Sequence, residues 1–163
     1  MLRLQLLRAD HEDALLAFER DNRAYFARSV PDRGDAYFAE FAARHRALLA
    51  EQETGACRFH LVMDAAGELI GRVNLVDLED GAADLGYRIG ERAAGRGAAT
   101  AAVREVCRLA ATEYGLGVLT ASAALDNAAS AAVLRRTGFT VVGETVLDGC
   151  PGLSYRRELT AEG

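Results

Sequence analysis

The spacing of apolar positions changes several times along the chain, and each change predicts a new element. Leu2, Leu4 and Leu6 alternate with Arg3 and Gln5, which is strand spacing. Asp10 offers an N-cap oxygen, with Glu12 and Asp13 in the first turn behind it, and Leu15, Leu16 and Phe18 predict a helix running towards Arg20. After a loop containing Arg28-Ser29-Val30-Pro31, apolar residues return at helical spacing as Phe38, Phe41, Leu48 and Leu49. A second helix is therefore expected from Asp35 to Glu53, ended by Gly55, with His45 on its buried face as a core or rim histidine. Phe59 to Met63 and Leu69 to Leu75 read as strands joined by Asp64-Ala65-Ala66-Gly67, and Glu79-Asp80-Gly81 turns the chain into Ala83 to Gly90. Gly97 to Tyr114 is a helix with Val103, Val106, Leu109 and Ala110 on one face and Gly115 at its end. A strand from Val118 to Ala123, a helix after Asn127, and a hairpin of Phe139 to Val146 with Leu153 to Leu159 complete the order. Thr160 to Gly163 is expected to fray. Neither repeat nor linker interrupts the pattern, so one domain over residues 1–163 is expected.

Half of the 163 residues are apolar, enough to bury a sizeable core without metal or disulfides. Nineteen basic residues against 24 acidic ones leave a net charge of -5, which argues against nucleic acid as a partner and mildly favours cationic ones. Arg3 and Arg8 interrupt the first apolar run, and no stretch reaches the roughly 18 apolar residues of a membrane helix. Neither signal peptide nor membrane partner is expected, and the protein is assigned to the cytoplasm. Cys57, Cys107 and Cys150 lie far apart without metal-ligand spacing, so reduced thiols and no metal are expected, with Cys150 in a turn formed by Gly149-Cys150-Pro151-Gly152. Monomer and homodimer both stay open.

The stretch from Ala83 to Val103 reads as a strand, a glycine loop and the start of a helix. A helix start leaves several N–H groups without partners and adds roughly half a positive charge, which suits a phosphate. Gly95 and Gly97 can take positive φ and let a phosphorylated ligand approach the backbone, while Arg92 and Arg96 add charge. A dinucleotide fingerprint wants a third Gly or Ala where Thr100 stands, and the Walker Lys is absent. The pattern Arg/Gln-x-x-Gly-x-Gly/Ala fits through Arg92, Gly95 and Gly97, although a plain helix-start turn also explains it.

The second stretch, Asn127-Ala128-Ala129-Ser130 through Gly138-Phe139, explains itself locally: Asn127 caps a helix, Ser130 lies in its first turn, and Gly138 stops it. In this order, the two stretches resemble the acyl-CoA pyrophosphate loop and the Asn-x-x-Ser signature of the GNAT N-acetyltransferase superfamily. Gly86-Tyr87 ahead of the loop is most similar to the Rim-type ribosomal-protein N-acetyltransferases. The resemblance covers nearly the whole chain. It implies an α+β fold with a mixed, mostly antiparallel sheet of about seven strands flanked by four helices, and acetyl-CoA as co-substrate.

It further implies that the strand from Tyr87 through Arg88 and Ile89 to Glu91 is splayed from its neighbour by a bulge, freeing backbone N–H groups for pantetheine and the thioester oxygen. One such donor contributes about 3 kcal/mol on the oxyanion-hole scale. Arg92, Gly95, Arg96, Gly97, Ala98, Ala99 and Thr100 would hold the pyrophosphate, and Asn127 and Ser130 would also meet the cofactor. Many superfamily members carry a Tyr seven residues after the Asn; here Leu134 takes that place, and Ser130 is the nearest hydroxyl to protonate the thiolate. Ser130 reads equally as helix-start packing with a cofactor contact. Asp84 matches an acidic position of Rim-type sequences and reads as a base working through water, an amine-orienting group, or a solvated strand charge. Asn74 faces the acceptor or satisfies a strand edge. The acceptor is expected to be a protein N-terminus or a small amine; an acyl-CoA sensor without turnover is the alternative.

Overall fold

A computed structural model describes residues 2–160. The expected frayed end, apart from Thr160, lies outside the described residues. Seven strands form one sheet: β1 (Arg3–Leu6), β2 (Arg58–Met63), β3 (Leu69–Glu79), β4 (Ala82–Ile89), β5 (Val118–Ala124), β6 (Thr140–Leu147) and β7 (Cys150–Glu158). Their spatial order is β1-β2-β3-β4-β5-β7-β6, and only β4 and β5 run parallel among the described pairs. The mixed α and β architecture and the seven strands match the expectation. The described helices number six rather than four: α1 (Glu12–Asp21), α2 (Arg23–Phe26), α3 (Asp35–Ala39), α4 (Phe41–Glu53), α5 (Ala98–Thr112) and α6 (Ala128–Arg136).

The two extra helices come from chain geometry that periodicity does not register. The predicted Asp35–Glu53 helix breaks at Glu40 (φ -102°, ψ 17°), and Tyr37 packs edge-on against both Phe38 and Phe41. Contact between successive rings is something a straight helix discourages. A short turn of helix, α2, also forms inside the loop after α1. Asp10 does not cap α1, because its carboxylate bonds the Arg8 side chain 3.1 Å away. His11 reaches back to the Arg8 amide instead, its Nδ1 accepting at 2.9 Å. His45 is structural, buried with its Nε2 2.9 Å from the Arg8 carbonyl.

The sheet separates two cores. On one side, α5 and α6 bury Val103, Val106, Ala110, Val133 and Leu134 against Val73, Leu75, Ala83, Leu85 and Leu119. On the other, Leu15, Tyr37 and Phe41 from α1, α3 and α4 cover Phe59 and Leu61. Alternation along β4 follows from this, with residues 83 and 85 towards α5 and residues 84, 86 and 88 towards the opposite face.

The feature that positions the site is a parting of the sheet. β4 pairs with β5 only from Ala82/Val118 to Asp84/Thr120, then stays with β3 as far as Ile89 while β5 stays with β7 as far as Ala124. The predicted bulge is not the cause. The β3–β4 register is regular from Gly71/Ile89 to Val76/Asp84 and shifts only between Val76 and Glu79, where Asp77 takes φ 54°. Each half of the sheet keeps its own partners and twist, and the two diverge.

Candidate active site

The Gly90 amide donates to the Ile70 carbonyl at 2.8 Å, which fixes the phase of the β3–β4 ladder. Antiparallel alternation then assigns the backbone groups of Tyr87 and Ile89 to the gap beside β5. Beyond the Asp84/Thr120 rung these groups have no β5 ladder partner among the described pairs.

Beyond β4 the chain makes a single 3-10 turn at Glu91–Ala93 and enters α5 through Gly95 (φ 75°) and Gly97 (φ 78°). Gly97 is the N-cap of α5 and, lacking a side chain, satisfies none of the free amides at Ala98, Ala99 and Thr100. A Cβ built on either glycine meets nothing within 4 Å, so the space in front of this helix end is open. A diphosphate fits such a place, held by amide hydrogens and the positive end of a 15-residue helix.

A cavity of about 560 Å³ joins the gap to that helix end. Its walls include Tyr87, Arg88 and Ile89 of β4, Gly95, Gly97, Ala98, Ala99 and Thr100 of the loop and α5, and Asn127 and Ser130 of α6. Arg92 and Arg96 stand apart, lining a neighbouring hollow with Asp64 and Glu68, and Arg92 is ion-paired to Glu68 at 2.8 Å. Sequence reasoning missed the opposite wall, made by Tyr25, Phe26, Ser29 and Val30. Those residues sit in the predicted loop, where periodicity carries no signal.

Asn127 caps α6, its Oδ1 accepting from the Ser130 amide at 3.1 Å. This orients Ser130, whose Oγ lies 3.1 Å from the Tyr87 hydroxyl. Burial raises the Tyr87 pKa, with the Ser130 contact opposing, so the phenol keeps its proton at neutral pH. Leu134 points into the core, 1% exposed. The hydroxyl pair thus spans the cavity from sheet to helix.

Asp84 lies at the last rung before the strands part and does not line the cavity. Its Oδ1 accepts from Thr120 Oγ1 at 2.7 Å. Burial raises its pKa; the Thr120 bond opposes this and the charge of Asp77 adds to it. Asn74 is cross-strand from Gly86, and its Oδ1 is buried without a partner. Between β4 and α1, Glu19 bonds Arg72 at 3.1 Å and Arg88 at 3.4 Å, with Glu19 and Arg72 both buried. The sequence held a signal for this: Glu19 shares a face with Leu15, and a lone acid on an apolar stripe needs a partner. No group of three His, Cys, Asp or Glu suited to a metal occurs among the described residues, nor any helix long and apolar enough to cross a membrane.

The family profile described as acetyltransferase (GNAT) domain matches residues 1–140. The chain belongs to the GNAT acetyltransferase family. This is the family that the two motifs resembled. Among solved structures it is similar to the ribosomal-protein-S5-alanine acetyltransferase from Vibrio fischeri, with TM-score 0.87 and 20% identity over 97% of this chain and 93% of that one. A ribosomal L7/L12 alpha-N-protein acetyltransferase in complex with coenzyme A gives TM-score 0.86 and 23% identity over 98% and 95%. The spermidine N-acetyltransferase from Vibrio cholerae, in complex with CoA and spermine, gives 0.80 and 18% over 97% and 95%. No curated protein sequence matches this one.

Proposed function

We propose that this GNAT enzyme takes the acetyl group of acetyl-CoA and moves it directly to the primary amine of a protein N-terminus or small molecule. The observation that carries this reading is the continuity of one cavity from the uncapped N-terminus of α5 to the gap between β4 and β5. The similar structures include enzymes for ribosomal-protein N-termini and for spermidine, which supports a primary amine as acceptor. Three unpaired thiols support a cytoplasmic setting.

The co-substrate supplies an activated thioester, so the protein's main tasks are placement and proton management. The amides of Ala98, Ala99 and Thr100, with Gly95 and Gly97 giving access, hold the diphosphate, and Arg92 and Arg96 contribute positive field from the rim. The gap-facing backbone of Tyr87 and Ile89 binds the pantetheine arm and offers a donor to the thioester oxygen. Transfer joins the amine nitrogen to the acetyl carbon and breaks the carbon–sulfur bond. One proton leaves nitrogen and one reaches sulfur. Ser130 delivers the second, with the protonated Tyr87 behind it. Asp84 receives the first through water, its raised pKa bringing it nearer to that of a working base.

Titration calorimetry with coenzyme A, followed by steady-state release of free CoA with peptides and amines, tests the reading. Saturable binding and acceptor-dependent release are expected. Binding without acceptor-dependent release would mark an acyl-CoA sensor, and no binding at all would overturn the proposal.

A further inference from the structure

On the β4 face away from α5, three alternate positions form a small ramp: Asp84, Gly86 and Arg88. Gly86 has no side chain, is exposed, and would show a Cβ nothing within 4 Å. The ends differ in charge and lie about 13 Å apart along the strand. Asp84 spends one hydrogen bond on Thr120. Arg88 is short of negative charge, because Glu19, the carboxylate it pairs with, is shared with Arg72, which holds it at the shorter distance.

The surroundings deepen that shortage. Arg33 makes no ion pair among the described residues; its guanidinium lies over the Tyr37 ring at 4.7 Å. Asp32 and Asp35 beside it are both taken by Arg23, at 2.8 and 2.9 Å, and Glu91 by Arg28 at 3.7 Å. Arg33 and Arg88 line one small hollow together with Glu19, Arg23, Phe26 and Asp32; burial, then the charge of Arg33, lowers the Arg88 pKa. Arg88 stacks on Phe26 at 4.5 Å and still reaches the cavity wall. A half-buried cation with half a counterion, beside a second unpaired one, is stabilised by any anion that arrives there.

We infer that Arg88 and Arg33 form an anion subsite that selects acceptors carrying a carboxylate a few bonds from the amine to be acetylated. This rests on the acetyl-transfer reading, with the amine lying over Gly86 towards Asp84. The local charge therefore opposes the net charge of -5, and it disfavours a polyamine. The carboxylate can come from the acidic side chain of a peptide's second residue or from the α-carboxyl of a free amino acid.

The test compares kcat/KM for amidated Ser-Glu-Gly against Ser-Gln-Gly, for glycine against glycinamide, and for spermidine. A preference of about tenfold or more is expected for the carboxylate member of one pair, the scale of one charge-assisted hydrogen bond. Which pair shows it identifies the source. The preference should shrink in high salt and in Arg33→Glu, an exposed position, and survive in Arg33→Lys. Acetylation without preference for either carboxylate, or with spermidine ahead of both, overturns the subsite and leaves the transferase reading intact. Acetylation of none of these also overturns it; coenzyme A binding by calorimetry then decides whether the transferase reading falls too.

Discussion

Replacing Gly97 with valine separates the diphosphate cradle from everything else in the molecule. Gly97 has φ 78° and ψ 6°, a left-handed conformation that costs a residue with a Cβ about 1–2 kcal/mol. Nothing within 4 Å would obstruct the new Cβ, so packing adds little to that cost. A fall in Tm of about 3–8 °C is expected for a chain of this size. Binding should suffer more. The isopropyl group stands in the open space before the amides of Ala98 and Ala99, and loss of one or two charged hydrogen bonds at about 1.5–3 kcal/mol each raises the Kd for coenzyme A by roughly 10²-fold. Calorimetry measures that Kd. An acetyl thioester of N-acetylcysteamine, which has no diphosphate, supplies the control, and its kcat/KM should change less than about threefold. Unchanged coenzyme A affinity in a folded variant would refute the cradle. An equal loss for both thioesters would mean that the substitution disturbs the gap rather than the phosphate site.

Ser130→Ala should lower kcat by about 10²-fold or less while leaving the KM for acetyl-CoA within a few-fold; wild-type turnover would reduce Ser130 to packing. Glu19→Gln leaves Arg72 and Arg88 facing a neutral amide, and urea unfolding should register a loss of about 3–5 kcal/mol; a loss below about 1 kcal/mol would mean that the pair is solvated. His60 is buried between the Val73 carbonyl and the Tyr114 hydroxyl, and burial lowers its pKa to about 4. The folded state therefore favours the neutral ring. That stabilisation is complete above about pH 6.5 and is lost as pH falls towards 4, by about 2 kcal/mol between about pH 7 and about pH 5. His60→Gln should unfold with a flatter pH dependence over that interval, and an unchanged slope would refute the assignment.

Elements whose hydrophobic period is long and whose ends carry glycine were legible from the sequence. α5 runs from the Gly97 cap to a stop at Gly115 (φ 64°), and α6 from the Asn127 cap to Gly138 (φ 92°). Turn chemistry misled where two signals overlapped. Gly149-Cys150-Pro151-Gly152 reads as a turn, yet the chain reverses one step earlier, at Asp148 (φ 50°) and Gly149 (φ 81°). Cys150, Pro151 and Gly152 are then free to pair as strand against Leu147, Val146 and Thr145. Asp-Gly with both residues at positive φ matches the twist of a two-residue hairpin, and that preference prevailed over the proline. The early helices were blurred because Tyr37, Phe38, Phe41 and His45 satisfy a helical period whether or not the backbone breaks at Glu40.

The proposed cofactor half of the site was legible for a further reason: backbone amides at a helix start are announced by the residues that do not obstruct them, here Gly95 and Gly97. The proposed acceptor half depends on side chains brought from α1, β3 and β4, whose relation exists only after the sheet assembles. Glu19, Arg72 and Arg88 are 53 and 69 residues apart in sequence and meet through three elements. The proposed proton donor follows the same logic. Where superfamily members carry a tyrosine on the helix, Leu134 is spent on the core, and the phenol near Ser130 comes from β4 instead. Tyr87 occupies the strand that parts from β5, so the geometry that turns its backbone towards the gap also sets a hydroxyl pair beside it. Opening the sheet and placing the proposed proton donor are thus consequences of a single event, the change of partner after Asp84 and Thr120.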